Sequence, residues 1–404
     1  MPTTLNAMDG KCASQVFLIR RRDSSIFRVG GLALEERWQR ALNHEGVGCT
    51  VLEGREEWKA TKGLTDPAAF IDENSVFEHT TLVTILHTRC RDNEAVVFQS
   101  KAGDPAPAVL LGPNALRRVT NSDGESPDGT SAIRELSPVA DVPVRSVELD
   151  DQAFWLRLTK PGQDRAATRE LLSRLRTRPG GLIARKVNRH LSTLLSGWLL
   201  DTPITPNGIT TLSGLLAVGA AALMVLPGYW WAVAAAAVMQ ASSILDGCDG
   251  EVARLRYQSS EFGKWYDSAV DEVVNALFIA ATGYHLAQGG WPGWVWVGVF
   301  VGAANYLYGM INFHCKWKTG LGIYWWFDTG SRPVKPGNTY ATHSDNTSFW
   351  SEVKTLYGRD AYLLFFLVAA LVDGLPVLMG ILAVVAAVIV VLLFLHVVVF
   401  RAPC

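Results

Sequence analysis

The chain has 404 residues, 49% of them hydrophobic and 19% charged, with a formal net charge of −1. That length accommodates two or three domains, and the near-neutral balance, with no basic–aromatic patch, argues against a nucleic-acid binder. Residues up to about 190 have the composition of a soluble protein, whereas those from about 205 to 400 are mostly apolar runs of membrane-spanning length.

The first half reads as α/β. Gln15 to Ile19 is a strand candidate. Leu34 to His44 has helical spacing, with Leu34, Trp38, Ala41 and Leu42 on one side and Glu35, Glu36, Arg37 and Arg40 mostly elsewhere. Gly46 to Gly48 stops it, and Cys49 to Leu52 is the next strand. Thr81 to His87 and Ala95 to Gln99 are further apolar pieces, and Asn121 to Gly129 is a turn-rich loop. Gln163 to Arg178 reads as a basic amphipathic helix stopped by Pro179-Gly180-Gly181. The first residues lack a charged segment followed by an apolar core, so no cleavable signal peptide is expected. Cys12, Cys49, Cys90, Cys248, Cys315 and Cys404 are scattered, with no CxxC pair and no Cys/His cluster. Reduced thiols are expected, without a zinc site or a disulfide framework.

Leu182 to Leu200 interleaves Arg185, Lys186, Arg189 and His190 with Ile183, Val187, Leu191, Leu194, Leu195 and Trp198. Two readings fit: a helix on the soluble domain, or, favoured because a span follows at once, a helix lying in the membrane interface. Six spans are expected, at about 208–226, 229–253, 264–287, 293–314, 361–376 and 377–400. Lys and Arg fall before the first, between the second and third, between the fourth and fifth, and after the sixth. The other connections have none, which places both termini in the cytoplasm by the positive-inside rule.

Four carboxylates interrupt this apolar half. Asp246 and Asp249 are three apart on the second span; Asp267 and Asp271 are four apart on the third. Each spacing puts a pair on one helix face, and a turn around Tyr257 to Ser260 lets the faces meet. Carboxylates at membrane depth are costly unless paired or metal-bound. Four oxygen ligands suit a hard cation such as Mg²⁺ or Mn²⁺. Gly250 and Gly263 allow close approach of a flat ligand to the backbone, and Arg254 offers a fork suited to phosphate. A cation-binding or transport protein is the alternative use of the same carboxylates.

The pattern D-x-x-D-G-x-x-A-R-x8-G-x3-D-x3-D is complete from Asp246 to Asp271. It resembles the CDP-alcohol phosphotransferase (phosphatidyltransferase) family over roughly residues 182 to 400. The resemblance implies an all-α, six-helix transmembrane domain that displaces CMP from a CDP-alcohol by an acceptor hydroxyl. It implies that Asp246, Asp249 and Asp267 hold the metal and that Asp271 is general base while lying near the metal. Gly250, Ala253, Arg254 and Gly263 would line the cytidine diphosphate site. Thr205-Pro206-Asn207-Gly208-Ile209-Thr210 resembles the family's approach to its first span. Asn207 and Thr210 would there touch the nucleotide, though Pro206 and Asn207 equally read as a turn and cap. The donor would be CDP-diacylglycerol or a soluble CDP-polyol; the acceptor, a hydroxyl compound such as a phosphorylated polyol. Membrane lipids are the surroundings, an inner (plasma) membrane with a cytoplasmic active site the location, and a homodimer the assembly common among relatives.

The front domain, from Val29-Gly30-Gly31 through the helix to Leu52 and again at Ala153 to Leu175, resembles a sugar-type nucleotidyltransferase. Residues 13 to 30 lack a glycine-rich phosphate loop. Asn74 stands where a metal-binding Asp is expected, and the closing Asp is absent around Trp155 to Leu158. A catalytically silent domain over residues 1–180 is expected, then an interfacial helix and linker over 181–204 and the membrane domain over 205–404. Between spans four and five, Lys316, Lys318 and Arg359 read equally as acceptor-phosphate contacts or as lipid and topology signals. Asn305, Tyr308 and Asn312 line the acceptor cavity or bond between helices.

Overall fold

The computed structural model describes residues 11–20, 27–53, 55–121, 141–176, 188–319 and 359–394. The chain divides into two compact units, Met1–Leu171 and Leu172–Cys404.

The first unit is α/β. In chain order it contains β1 (Gln15–Ile19), β2 (Arg28–Val29), β3 (Leu32–Ala33), α1 (Leu34–His44), β4 (Gly48–Leu52), α2 (Arg55–Ala60), β5 (Ala68–Asp72), β6 (Ser75–Phe77) and α3 (His79–His87). There follow β7 (Ala95–Gln99), β8 (Pro105–Leu111), α4 (Pro113–Asn121), β9 (Val144–Glu148), β10 (Trp155–Arg157) and the start of α5 (Gln163–Arg176). Six strands form one mixed sheet in the order β4-β1-β5-β8-β7-β9. The first three are mutually parallel. β5 is buried along its whole length, as an apolar central strand must be. Phe17 stacks on Phe70 at 5.2 Å, and Trp58 meets Phe70 edge-on. On α1 the expected apolar face is buried, but so is Arg37.

Register decides what gathers at the strand ends. Ile19 pairs with Leu52 on one side and with Asp72 on the other. Arg20, Glu53 and Glu73 therefore emerge side by side. A separate ribbon of β6 and β10 pairs Arg157 with Ser75, bringing the chain around Asn74 next to the segment Trp155–Leu158.

The second unit is helical: α6 (Arg189–Leu199), α7 (Pro206–Met224), α8 (Tyr229–Leu255), α9 (Glu261–Ala287), α10 (Gly293–Thr319), α11 (Arg359–Leu371) and α12 (Leu375–Phe394). The last six lie at the six expected spans, but among the described residues only α7, α8 and Gly293–Cys315 are both long and apolar enough to cross a membrane. The expectation of six clear spans is corrected accordingly. α9 fails because Glu261, Lys264, Asp267, Asp271 and Glu272 crowd its first half; the apolar stretch of α11, Tyr362–Leu371, is short, whereas α12 is apolar throughout Leu375–Phe394, with Leu375–Val391 its described apolar run. The break between these two falls at Val372–Gly374, earlier than expected. Asp373 adopts φ +55° there, Gly374 N–H closes the end of α11 on the Ala369 carbonyl at 2.7 Å, and Pro376 suits the first turn of α12.

Small residues let these helices approach. Alanines of α7 and α8 form one buried cluster with Phe278 and Phe366. A Cβ added to Gly283 would lie 2.6 Å from Gly298 Cα, and one added to Gly302 would lie 2.8 Å from the Ala276 carbonyl oxygen. That is the small-residue packing of membrane helices. Large apolar side chains face outward, Trp230 and Trp296 at 76% exposure. Gln288 and His285 bond the carbonyls of Val225 and Leu226, so the α7–α8 and α9–α10 connections meet at one end. Tyr229, Trp230, Trp231 and Trp291 cluster in these connections like an interfacial aromatic belt.

Of the cysteines, Cys12, Cys49, Cys90 and Cys248 carry free thiols. Cys315 is disulfide-bonded, contrary to the expectation of reduced thiols throughout.

Candidate active site

α8 runs unbroken from the aromatic end to Leu255, so Asp246 and Asp249 sit in its last turns. Tyr257 then takes a left-handed φ of +52°, and Gln258 N–H bonds the Ala253 carbonyl at 2.8 Å. Ser260 caps α9 by accepting from Gly263 N–H at 2.9 Å, the bond expected of a serine N-cap. This tight reversal brings the first turns of α9 back along α8. One carboxylate oxygen each from Asp246, Asp267 and Asp271 then lies within 4.8 Å of the others. The all-oxygen donor set and its concentrated negative charge fit a hard divalent cation.

Asp249 is outside that triad of nearest ligand atoms. Its Oδ2 accepts a short hydrogen bond from the buried Thr210 hydroxyl of α7. Sequence reading assigned Thr210 to the nucleotide; in the structure its hydroxyl orients Asp249. Ser213, one turn further along, has Oγ 3.4 Å from Asp246 Oδ1 while donating to the Thr210 carbonyl at 2.9 Å. Thr205 caps α7 by accepting from Gly208 N–H. Asn207 projects toward α9: its Oδ1 lies 3.1 Å from where a Cβ on Gly263 would stand. Asn207 and Gly263 are thus brought together. Gly250 lies under the Arg254 guanidinium, whose Nη1 would be 3.1 Å from an added Cβ. Ala253 is half-buried on the same helix.

Three further groups escaped the sequence reading. Glu251, buried, accepts hydrogen bonds at 2.7 Å from both Ser192 and Ser196 of α6. This fastens the hydroxyl face of α6 onto α8 beside the carboxylates and leaves Leu191, Leu194 and Trp198 outward. An amphipathic helix with its apolar face outward fits a lipid boundary. Arg256, also buried, donates to the carbonyls of Leu200, Thr202 and Ile204, securing the link from α6 to α7. Glu272 seats its carboxylate against α10: a Cβ on Gly309 would lie 2.0 Å from its Cδ. No spacing rule announces these pairs, because each partner lies on another helix. Asn305, Tyr308 and Asn312 are half-buried on α10; Lys318 and the insertion beyond Thr319 lie outside what can be described at side-chain level.

The first unit has its own charged centre at the carboxyl ends of the parallel strands, where such sheets bind nucleotides. Arg20 donates to Glu73 at 2.8 and 2.9 Å, to Glu35 at 3.2 Å and to Glu53. The Glu73 hydrogen bond foremost, with its charge and those of Glu53 and Glu35, raises the Arg20 pKa. Arg157 Nη2 meets the fully buried Asp72 at 2.6 Å. A guanidinium thus stands in the segment where the closing metal-binding Asp was expected. Four carboxylates face two guanidinium groups among the described residues; Arg21 and Arg22 lie outside them.

Residues 203–325 match the family model described as CDP-alcohol phosphatidyltransferase. The chain carries a CDP-alcohol phosphatidyltransferase domain. The matched region holds Asp246, Asp249, Asp267 and Asp271 on the hairpin of α8 and α9. Similar proteins include a "Bifunctional IPC transferase and DIPP synthase" of Aquifex aeolicus, 34% identical over 164 residues, which are 40% of this chain and 36% of that protein. The protein of that name from Archaeoglobus fulgidus is 35% identical over 149 residues, 37% of this chain and 29% of that one. The one from Thermococcus kodakarensis is 34% identical over 152 residues, 37% and 34% of the two chains. The similarity thus spans about a third of the length of each of these curated relatives.

Proposed function

We propose that the membrane unit transfers a phospho-alcohol or phosphatidyl group from a CDP-alcohol to an acceptor hydroxyl and releases CMP. The observation that carries this reading is the convergence of Asp246, Asp267 and Asp271 within 4.8 Å, beside Asp249, inside the family-matched region. Asp246, Asp249 and Asp267 would hold a divalent cation, Mg²⁺ or Mn²⁺, with Thr210 bonded to Asp249 and Asp271 lying near the same ion. When bound, the cation neutralises diphosphate charge. Arg254, lying over Gly250, would pair with a phosphate oxygen. Gly263 and Asn207 border the space for the nucleoside.

Asp271 takes the proton of the acceptor hydroxyl. The acceptor oxygen forms a bond to the β-phosphorus as the bond from that phosphorus to the bridging oxygen breaks. CMP leaves with the bridging oxygen. The remaining catalytic demand is positioning and charge stabilisation.

The location fits an inner membrane, with the carboxylate end cytoplasmic, opposite the aromatic connections. The front domain is read as silent: at the strand ends the Arg20 and Arg157 guanidinium groups are engaged by Glu73 and Asp72 of the same unit. A separate cytidylyltransferase must then supply the CDP-alcohol. The test supplies the full chain, in vesicles, with CDP-diacylglycerol or a CDP-polyol and a panel of polyols and their phosphates. Mass spectrometry should find a new phosphodiester in step with CMP. Cation uptake by the vesicles without any CMP release would favour the transport reading instead.

A further inference from the structure

We propose that His44, Glu45 and His79 of the first unit form a binding site for a borderline divalent cation of the zinc class. His44 ends α1, Glu45 is its C-cap, and His79 opens α3. The three are invisible as a cluster in sequence because 35 positions separate the two histidines. The fold brings one ligand atom of each within 4.8 Å of the others.

The spacing suits a small tetrahedral ion. With metal–ligand bonds of about 2.0–2.1 Å, two ligand atoms of a tetrahedral site lie roughly 3.3 Å apart. His79 Nε2 and Glu45 Oε1 are 3.4 Å apart. The His44 and His79 rings meet edge-on with centroids at 5.6 Å, which keeps the exposed His44 within reach of an ion held by the other two. His79 is 8% exposed, which fixes one ligand in place. Two imidazoles and one carboxylate prefer zinc-like ions to magnesium or calcium, whose sites are built from oxygen. A fourth position is left for water.

The place in the fold says what such a site does. It precedes β4, whereas Glu53 and the Arg20 cluster follow it. β4 has five residues, a separation of about 17 Å at strand rise. The cation would therefore lie away from the strand ends that a nucleotide would use. It would staple the end of α1 to the start of α3 rather than touch a substrate.

The test uses the full chain, purified without a histidine tag, stripped with EDTA and held in millimolar Mg²⁺ to saturate the oxygen-ligand site of the membrane unit. Added Co²⁺ should bind as one equivalent with the intense visible absorption of a four-coordinate site. Zn²⁺ should displace it and raise the unfolding temperature of the first unit. His44→Ala and His79→Ala should each abolish the absorption; Asp267→Asn should leave it intact. Should His79→Ala fail to fold, the exposed His44 gives the deciding variant. Absence of the absorption in the parent chain, or its survival in His44→Ala, would overturn the proposal. Neither result depends on transferase activity.

Discussion

The Arg157–Asp72 pair offers a quantitative test of the silent front domain. Asp72 is fully buried, and Arg157, one-third exposed, reaches its Oδ2 at 2.6 Å. Arg157→Leu strands a carboxylate inside the sheet. Removing one member of a buried ion pair costs about 3–5 kcal/mol, and the guanidinium's contact with water points to the lower figure. A loss of about 3 kcal/mol lowers the melting temperature of a unit this size by about 6–12 °C. Asp72→Asn combined with Arg157→Leu should recover most of that loss, because no charge is then left uncompensated. Pulse proteolysis of the full chain in urea, reading cleavage within the first unit, measures all three. An Arg157→Leu cost under about 0.5 kcal/mol, the scale of ordinary surface changes, would refute the idea that this guanidinium compensates the buried Asp72 charge. CTP with Mg²⁺ should shift none of these midpoints.

Asp271→Asn should keep CDP binding while losing about 10²–10⁴-fold in turnover; near-normal CMP release from this variant would move the base role to another group. The double change Ser192→Ala with Ser196→Ala strips both donors from buried Glu251. Hydrogen bonds to charged groups contribute about 1.5–3 kcal/mol each, so the variant should lose thermal stability in detergent, with protease cleavage appearing first in α6. Unchanged melting and cleavage would show that α6 is not held by this contact. Burial, aided by Glu94, pushes the Cys90 thiol up to about 12. Iodoacetamide at pH 8 should therefore label exposed Cys12 and spare Cys90. Because the folded pKa is the raised one, the thiol's contribution to stability is present below about 9, the unfolded value, and is lost as pH rises above it. Equal labelling of both cysteines in the folded chain would contradict the burial argument.

Much of the fold was legible because it is written in local periodicity. β1 and α1 are bounded as expected at Gln15–Ile19 and Leu34–His44, where a short continuous apolar run and an amphipathic stripe stand out. The carboxylate hairpin was legible too, since spacings of three and four fix a helix face whatever packs around it. Contacts between helices or strands were not. Thr210 with Asp249, Glu251 with its two serines, Glu272 against Gly309 and Arg157 against Asp72 each join residues distant in sequence. His44 and His79 illustrate the same limit: the absence of a Cys/His cluster in sequence did not preclude one in space. The span count erred for another reason. α9 has the length of a membrane helix, but its first half is given over to charged groups, so hydropathy and function compete along one element.

The central claim is that the α8–α9 carboxylates act as one cation-dependent phosphotransfer site. The most direct measurement is CMP release from a CDP-alcohol by the full chain, compared across added Mg²⁺, EDTA, and the Asp246→Asn and Asp267→Asn variants. The account predicts CMP release with Mg²⁺, its loss in EDTA with recovery on adding the metal back, and no recovery in either variant. CMP release that persists in EDTA, or that survives Asp267→Asn at near-parent rate, would contradict it.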